Sequence, residues 1–296
     1  MIALIKRNIK IFVRDRMAFF LSLLSVFILL ILYKVFLGQI QIDGIKEAMG
    51  SNNASSDVVT MVNYWLVSGL VIITSMSSTL GAYGVSVDDR QHHRVDDFML
   101  TPLSPIKIEI CYMISAILIG SLITFLLYVI SIIVLIGGGG LLIGFMATVK
   151  LMLLILSSSA ISLLIVYPFI YFIKTNAQFS AFSTIIGTII GFLTGVYISI
   201  GSVSGPIKNI ITWFPLTPLG SLVKQLIMKD SLNLVFKHAP SQIRINYETD
   251  YGVLLNFPNG THFTNITILK YEIILIIFLI ILGIVITKLV KINGRK

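Results

Sequence analysis

Long stretches without a charged side chain are the feature that most constrains the fold of this sequence. Three of them cover Met17–Tyr33, Val58–Val87 and Ile110–Val149. A helix that crosses the hydrocarbon core of a bilayer needs roughly 20 apolar residues. Backbone groups in hydrocarbon must be paired internally, so spans are helices or closed barrels, and barrel strands alternate apolar and polar residues. The runs here are continuous and longer, which predicts an all-α polytopic membrane protein.

Six transmembrane helices are predicted from these runs. The stretch 110–149 is too long for one span, and Gly137–Gly140 favour a turn that divides it into spans three and four. The last run has 15 uncharged residues between Glu272 and Lys288. It covers about 22 Å, less than the roughly 30 Å core, and needs flanking residues that snorkel. The predicted spans are 17–37, 58–87, 110–136, 145–173, 179–200 and 272–290.

Residues 1–16 are predicted to form an amphipathic helix before the first span. Apolar residues recur at spacings of three and four on one face, and basic residues recur every fourth position on another. The apolar set is Ile2, Ile5, Ile9 and Phe12, and the basic set is Lys6, Lys10 and Arg14. Such a helix is expected to lie on the membrane lipid, either as an anchor or as a platform for a cytoplasmic partner as well.

The distribution of basic residues predicts the orientation. Six spans place both termini on one side, together with the loops after spans two and four. That side would hold 13 of the 22 lysines and arginines in short segments. Positive charge in short loops marks the cytoplasmic side. Both termini are therefore predicted to be cytoplasmic, with segment 201–271 on the extracellular side.

Several classes of function are disfavoured by what the sequence lacks. It contains no P-loop motif, no H-E-x-x-H and no G-x-S-x-G. The net charge of +9 lies at the ends of apolar segments and predicts no nucleic-acid partner. His92 and His93 are adjacent and cannot ligate zinc from one helix face, so no metal site is predicted. Lys34, Lys150 and Glu272 fall near outer span ends, where snorkelling explains them.

The loop 88–105, between spans two and three, has a charged first half and an apolar helical face. Val95, Phe98 and Met99 share that face, so residues 89–100 can form a short amphipathic helix that Pro102 ends. The alternative is an ordinary solvated loop. The charged residues are Asp88, Asp89, Arg90, Arg94, Asp96 and Asp97.

The segment 201–271 contains a second motif, Trp213-Phe214-Pro215-Leu216-Thr217-Pro218. Its prolines make a continuous span improbable, and Pro218 suits the first turn of a short helix. A loop with an interfacial tryptophan is the alternative. Aromatic residues farther along alternate with polar ones, which suggests a small β-rich cap. They are Tyr247, Tyr251, Phe257 and Phe263.

The sequence resembles the permeases of ABC type-2 exporters, also called type V ABC exporters. In that family a charged helix after span two leads into Leu-x-x-Pro-Leu-Ser-Pro, which Leu100–Pro105 match. The Pro-Leu-Thr at 215–217 resembles the element that opens the family's extracellular helix between spans five and six. The family usually begins the charged helix with Glu-Arg and has a glycine before its middle. This chain has Asp88-Asp89-Arg90 and His93 there.

The resemblance covers nearly the whole chain, 1–296, as one transmembrane domain. It implies two identical or homologous permease subunits in a cell membrane, expected to be a bacterial plasma membrane. Two separate ATPase subunits would bind ATP and Mg, and this chain would carry no cofactor. The cargo would be a drug, a peptide or a lipid-like molecule. The alternatives are a polytopic membrane enzyme and a non-transporting sensor or assembly subunit.

The resemblance also implies roles for individual residues. The extracellular helix would begin around Trp213, Pro215 and Pro218. The residues expected to couple the chain to the ATPase are Asp88, Asp89, Arg90, Arg94, Val95, Asp96, Asp97, Phe98, Met99 and Pro102.

Overall fold

A computed structural model describes residues 1–15, 31, 38–49, 56–136, 143–256 and 263–293. Within these ranges the chain forms helices and no β-strand. The helices are α1 Ile2–Arg14, α2 Gly38–Met49, α3 Ser56–Gln91, α4 Arg94–Met99, α5 Pro105–Ile136, α6 Phe145–Ile170, α7 Asn176–Leu193, α8 Gly205–Trp213, α9 Leu216–Ile227, α10 Lys229–Val235, α11 Ser241–Asp250 and α12 Asn265–Asn293.

Four of the described helices, α3, α5, α6 and α7, are long and apolar enough to cross a membrane. The pair α8 and α9 passes the same test only together and is bent by 74°, as a broken span or a re-entrant loop would be. The described residues therefore hold four candidate spans, or five if the bent pair counts as one. Predicted span one lies outside the described residues except for Ile31, as does the glycine turn at 137–140.

Predicted span six falls within α12. This helix has 29 residues and begins seven residues before Glu272. At 1.5 Å per residue it is about 43 Å long, which exceeds the roughly 30 Å of hydrocarbon. The shortness of the uncharged run at 273–287 therefore reflects the charges that flank it and not the length of the helix.

The helix α3 is the centre of the bundle. In the most apolar stretch of α3, 83% of the residues are buried inside the bundle, compared with 17% in the corresponding stretch of α7. Its contact with α5 is close because Gly120 faces Thr79, where an added Cβ would lie 2.0 Å from the Thr79 hydroxyl oxygen. Serines join it to both neighbours: Ser78 donates to the Gly120 carbonyl at 3.1 Å, and the Ser75 and Ser158 hydroxyls are 2.5 Å apart. Small and hydroxyl-bearing residues at such contacts are typical of helices packed in lipid.

The predicted helix over 89–100 is divided in the structure. The helix α3 continues to Gln91, and α4 begins only at Arg94. Between them His93 has a φ of 57°, a left-handed conformation that interrupts the ladder of backbone hydrogen bonds. Asp88, Asp89 and Arg90 therefore belong to the end of a long helix, whereas residues 94–99 form a separate short one.

The predicted β-rich cap is wrong for residues 231–250, because α10 and α11 occupy this region. Tyr247 and Tyr251 are four residues apart, about one helical turn, and their rings pack with centroids 4.6 Å apart. A spacing of four residues fits the helical period as well as the strand period of two, so the spacing of these two tyrosines does not separate helix from strand. Phe257 lies outside the described residues.

Candidate functional site

Asp89 is the centre of a polar cluster that joins four helices. Its side chain is fully buried at the end of α3. Its Oδ1 accepts a hydrogen bond from Nη2 of Arg7 at 2.8 Å, and its Oδ2 accepts one from the Tyr112 hydroxyl at 2.6 Å. Nη1 of Arg7 also donates to Oδ2 and completes a bidentate ion pair. Nη1 of Arg94 lies 3.3 Å from Oδ1, so α1, α3, α4 and α5 meet at one carboxylate.

Asp88 extends this cluster to a fifth helix. Its Oδ2 accepts a hydrogen bond from Nη1 of Arg94 at 2.8 Å, and its Oδ1 accepts one from the Asn176 side chain at 2.8 Å. Asn176 is the first residue of α7, and its backbone N–H donates to Oε1 of Gln91 at 2.5 Å. We call Arg7, Asp88, Asp89, Arg94 and Tyr112 the Asp89 cluster.

The two arginines of the cluster are held in their charged form. The hydrogen bond to Asp89 raises the pKa of Arg7, more than partial burial lowers it. The hydrogen bond to Asp88, followed by that to Asp89, raises the pKa of Arg94. The Arg7 guanidinium also lies 5.1 Å from the centroid of the Phe98 ring. The short helix α4 is thus tied to the bundle through both a charged and an aromatic side chain.

The remaining coupling residues predicted in the loop 88–105 divide into a half-buried group and an exposed group. Arg90 is half-buried and donates to the Ser86 carbonyl of its own helix at 3.2 Å. Val95 and Phe98 are also half-buried. The predicted residues Asp96, Asp97, Met99 and Pro102 are exposed, as is Leu100, which was not predicted, and we call these five residues the outward face. Met99 and Leu100 keep 49% and 88% of their surface exposed, which leaves an apolar patch beside two carboxylates.

Arg7 and Tyr112 were missed from the sequence. Arg7 stands 82 positions before Asp89, and no local pattern signals that the two meet. On an ideal helix Arg7 lies within about 20° of Arg14, seven residues away, so the basic repeat does not single it out.

The residues predicted to open the extracellular helix lie at the bend between α8 and α9. Trp213 ends α8, Pro215 precedes α9, and Pro218 lies in the first turn of α9. The Trp213 ring packs edge-on against Phe263 and Tyr271, with centroids 5.6 and 5.7 Å away. The Tyr271 hydroxyl donates to the Trp213 carbonyl at 2.7 Å. Through these contacts the bend between α8 and α9 packs against the N-terminal end of α12.

A buried lysine joins α9 to α3. Lys224 is 3% exposed, and its Nζ donates to the Tyr251 carbonyl at 2.9 Å. The indole N–H of Trp65 donates to the same carbonyl at 2.7 Å, and the Lys224 ammonium lies 5.2 Å from the Trp65 ring centroid. One backbone carbonyl thus connects the central helix α3 with α9 and the chain after α11.

Glu272 differs from what snorkelling predicts. Its side chain is 4% exposed, and neither carboxylate oxygen has a hydrogen-bond partner among the described residues. Snorkelling requires that the charged group reach water, which this position does not allow. Lys150, by contrast, is exposed as predicted.

Within the described ranges no group of three histidine, cysteine, aspartate or glutamate side chains is arranged to hold a metal ion. Residues 39–288 match the family model described as ABC-2 family transporter protein. A search among curated proteins finds no match to the chain.

Proposed function

The chain belongs to the ABC-2 family of transporter proteins, and on that premise we propose that it is the permease subunit of an ATP-driven exporter. The family match and the long apolar helices together indicate a multi-pass membrane protein. The family also implies, in general, an ABC ATPase as partner. The finer proposal places ATP and Mg on separate ATPase subunits in the cell and gives this chain no catalytic step. The observation that carries it is the contrast between the outward face of α4 and the Asp89 cluster behind it.

The outward face would contact the ATPase. Met99 and Leu100 are exposed, large and apolar, and would fit an apolar groove. Asp96 and Asp97 lie beside them and would meet basic residues at its rim. A buried apolar centre with a charged rim is the usual arrangement of a protein–protein interface. In this proposal Asp89 acts behind the surface and not on it, because its carboxylate is already surrounded.

The Asp89 cluster would transmit movement from α4 to the bundle. Arg94 is the member that belongs to α4, and it bonds both Asp88 and Asp89. Asp88 reaches α7 through Asn176, whereas Asp89 reaches α1 and α5 through Arg7 and Tyr112. A displacement of α4 by the ATPase would therefore act on four helices at once. For this to switch the transporter, the ATPase must bind the two states with different affinity.

The proposal includes the six-span topology with both termini cytoplasmic. The described part of the chain supports four spans, and the length of α12 is sufficient for another. The bend at Trp213–Pro215 favours α8 and α9 as a re-entrant pair on the extracellular side. The helices α10 and α11, which contain exposed charged residues, would then face the exterior.

A second permease subunit, identical or homologous, would pack against α7. Only Ile190 and Gly191 are buried in this helix. The most apolar stretch of α7 is also less apolar than those of the other three candidate spans, with a mean hydropathy of 1.3. The hydroxyls of Thr184 and Thr188 lie on its exposed surface and bond only backbone carbonyls of their own helix in the described residues. A hydrophobic or amphipathic cargo such as a drug, a peptide or a lipid would pass along this face.

The outward face is tested by Met99→Asp with Leu100→Asp in the full-length chain, co-expressed with its ATPase. Both side chains are exposed, so the fold should persist. The expected result is loss of ATPase co-purification, with the thermal unfolding temperature unchanged. The matched control is Leu234→Asp with Ile245→Asp, two exposed apolar residues on α10 and α11. The control should retain the ATPase.

Unchanged association in the Met99 and Leu100 variant would refute the assignment of the outward face. Association of the wild-type chain without ATP-dependent transport of any amphipathic substrate in liposomes would instead favour a sensor or assembly subunit.

A further inference from the structure

Glu272 lies in the middle of the buried stripe of α12. Ile268 precedes it by one turn and is fully buried, and Leu279 follows on the same side with 9% exposure. Leu275 and Ile276 lie between them and pack against the core. Through this stripe α12 packs against α6 and α9. A carboxyl group therefore occupies a position that the pattern of the helix reserves for an aliphatic side chain.

Among the described residues, none stabilises a negative charge on this carboxyl group. Neither oxygen has a hydrogen-bond partner in the described ranges, and no cation lies within ion-pair distance of it there. An ionised carboxylate buried without partners is far more costly than a neutral carboxyl group. A metal ion would need several oxygen ligands, and in the described ranges Glu272 belongs to no group of three histidine, cysteine, aspartate or glutamate side chains that could hold one. The one ligand that requires neither space nor further ligands is a proton.

We propose that Glu272 is a proton-binding site, occupied in this conformation and emptied into the outer water when the apolar contacts above it open. The reaction is a simple dissociation in which the carboxylic acid O–H bond breaks, the electron pair stays on oxygen and water takes the proton. This goes beyond export driven by ATP, because it makes the conformational equilibrium of the permease itself depend on external pH.

A buried apolar cluster that includes Ile268 lies at the outer end of α12. Ile268 packs there against residues from α8, the turn at 200–202 and the chain after α11. We call this group the outer apolar cluster, and its members are Ile200, Ile211, Leu255, Phe263 and Ile268. Because Ile268 is one turn outward from Glu272 on the same face, separation of this cluster would admit water to the carboxyl group.

Other titratable groups on the elements packed around α12 are engaged elsewhere or exposed. The Tyr167 ring on α6 lies against Gly283, three turns farther along α12. Lys224 on α9 donates to the Tyr251 carbonyl, and the Tyr271 hydroxyl donates to the Trp213 carbonyl. Lys150 and Lys270 are exposed, and Lys208 on α8 is half-exposed. Among the described residues none of these hydrogen-bonds to Glu272.

The direction of the pH effect follows from linkage. The conformation that buries Glu272 binds one proton more than a conformation that exposes it to water. Acid therefore stabilises the closed outer cluster, and alkali favours its opening. One linked proton changes such an equilibrium by up to about tenfold per pH unit.

The first test is infrared spectroscopy of the purified full-length chain in liposomes at neutral pH. The difference spectrum of wild type minus Glu272→Gln should contain the carbonyl stretching band of a protonated carboxylic acid. Glu272→Asp should retain such a band, shifted in frequency. The matched control is Glu248→Gln, since Glu248 is 9% exposed but accepts a hydrogen bond from Nε of Arg244 at 2.7 Å. Its difference spectrum should lack the band.

The second test measures opening of the outer apolar cluster. Leu255→Cys in a Cys111→Ala background is labelled with a membrane-impermeant thiol reagent across a range of pH. The labelling rate of this cysteine is divided by the rate of the same cysteine in a chain that also carries Glu272→Gln. This ratio should rise with pH by up to about tenfold per unit. The division removes the pH dependence of the thiol itself.

Absence of the protonated-acid band, or an identical pH profile with glutamate and glutamine, would overturn the proposal. Neither measurement needs the ATPase. A permease that fails to bind an ATPase could therefore still have a protonated Glu272, and the two proposals fail separately.

Discussion

Asp89 and Glu272 are carboxyl groups with almost no exposed surface, 0% and 4%, in opposite halves of the chain. Asp89 accepts hydrogen bonds from Arg7, Tyr112 and Arg94. Glu272 accepts none in the described part of the structure. Burial alone therefore does not say what a carboxyl group does. With donors around it the group remains ionised and holds helices together, and without them it is neutral and keeps its proton as long as it stays buried.

The largest effect should follow from Asp89→Asn. The change removes the charge but keeps the size, and it leaves the Arg7 guanidinium partly buried without its carboxylate. We expect a loss of stability on the order of 3 kcal/mol, the lower end of the range for a broken buried ion pair. Thermal unfolding can be followed with a thiol-reactive dye, because Cys111 is the only cysteine and is buried.

The control for this change is Asp43→Asn on α2. The Asp43 side chain is 53% exposed, and it pairs with Lys46 at 2.9 Å on the surface. Exposed pairs contribute little, so its unfolding temperature should stay that of the wild type. Equal effects of the two substitutions would contradict the contrast between a buried and a solvated carboxylate.

A smaller effect is expected from Tyr112→Phe, which deletes one of the donors to Asp89. Loss of a hydrogen bond to a charged acceptor costs about 1.5 kcal/mol. The same substitution should cost much less when Asp89 is already asparagine, since residues in one network are coupled. A double-mutant cycle of unfolding temperatures measures this. Tyr128→Phe on the same helix serves as the control, because its hydroxyl bonds no carboxylate in the described residues. Additive costs would show that Tyr112 acts independently of Asp89.

The smallest effect should follow from Glu272→Gln. A neutral carboxyl group and an amide have similar size, and no described hydrogen bond is lost. The stability should change by less than about 1 kcal/mol at neutral pH, the typical net worth of one hydrogen bond. A destabilisation as large as that of Asp89→Asn would mean that Glu272 is ionised and paired, and would remove the distinction between the two sites.

Much of the bundle could be predicted from the sequence, because an apolar run of sufficient length has few alternatives in a bilayer. The start of α5 at Pro105 and the short helix around Pro218 both follow from local chemistry. The division of residues 89–100 at His93 could not be predicted. His93 has a left-handed conformation, and the contact that ties this segment to α7, between Asp88 and Asn176, joins residues 88 positions apart.

The two buried carboxyl groups were the hardest features to predict, for a related reason. The position of Asp89 on its helix is visible in the sequence, but Arg7 and Tyr112 come from other helices and give no local signal. Glu272 falls near the end of an uncharged run, where exposure is the common outcome. Its burial depends on α6, α9 and the outer apolar cluster, which the sequence of α12 does not specify.

The length of α3 has a mechanical consequence. Asp89 and Trp65 are 24 residues apart on this helix, which at 1.5 Å per residue separates them by about 36 Å. A stiff lever of that length, tilted by about 5° at the Asp89 end, moves its other end by roughly 3 Å, more than a hydrogen bond tolerates. The 2.7 Å bond from Trp65 to the Tyr251 carbonyl lies at that other end. A slight tilt of α3 at Asp89 is thereby sufficient to break this hydrogen bond near the other end of the helix.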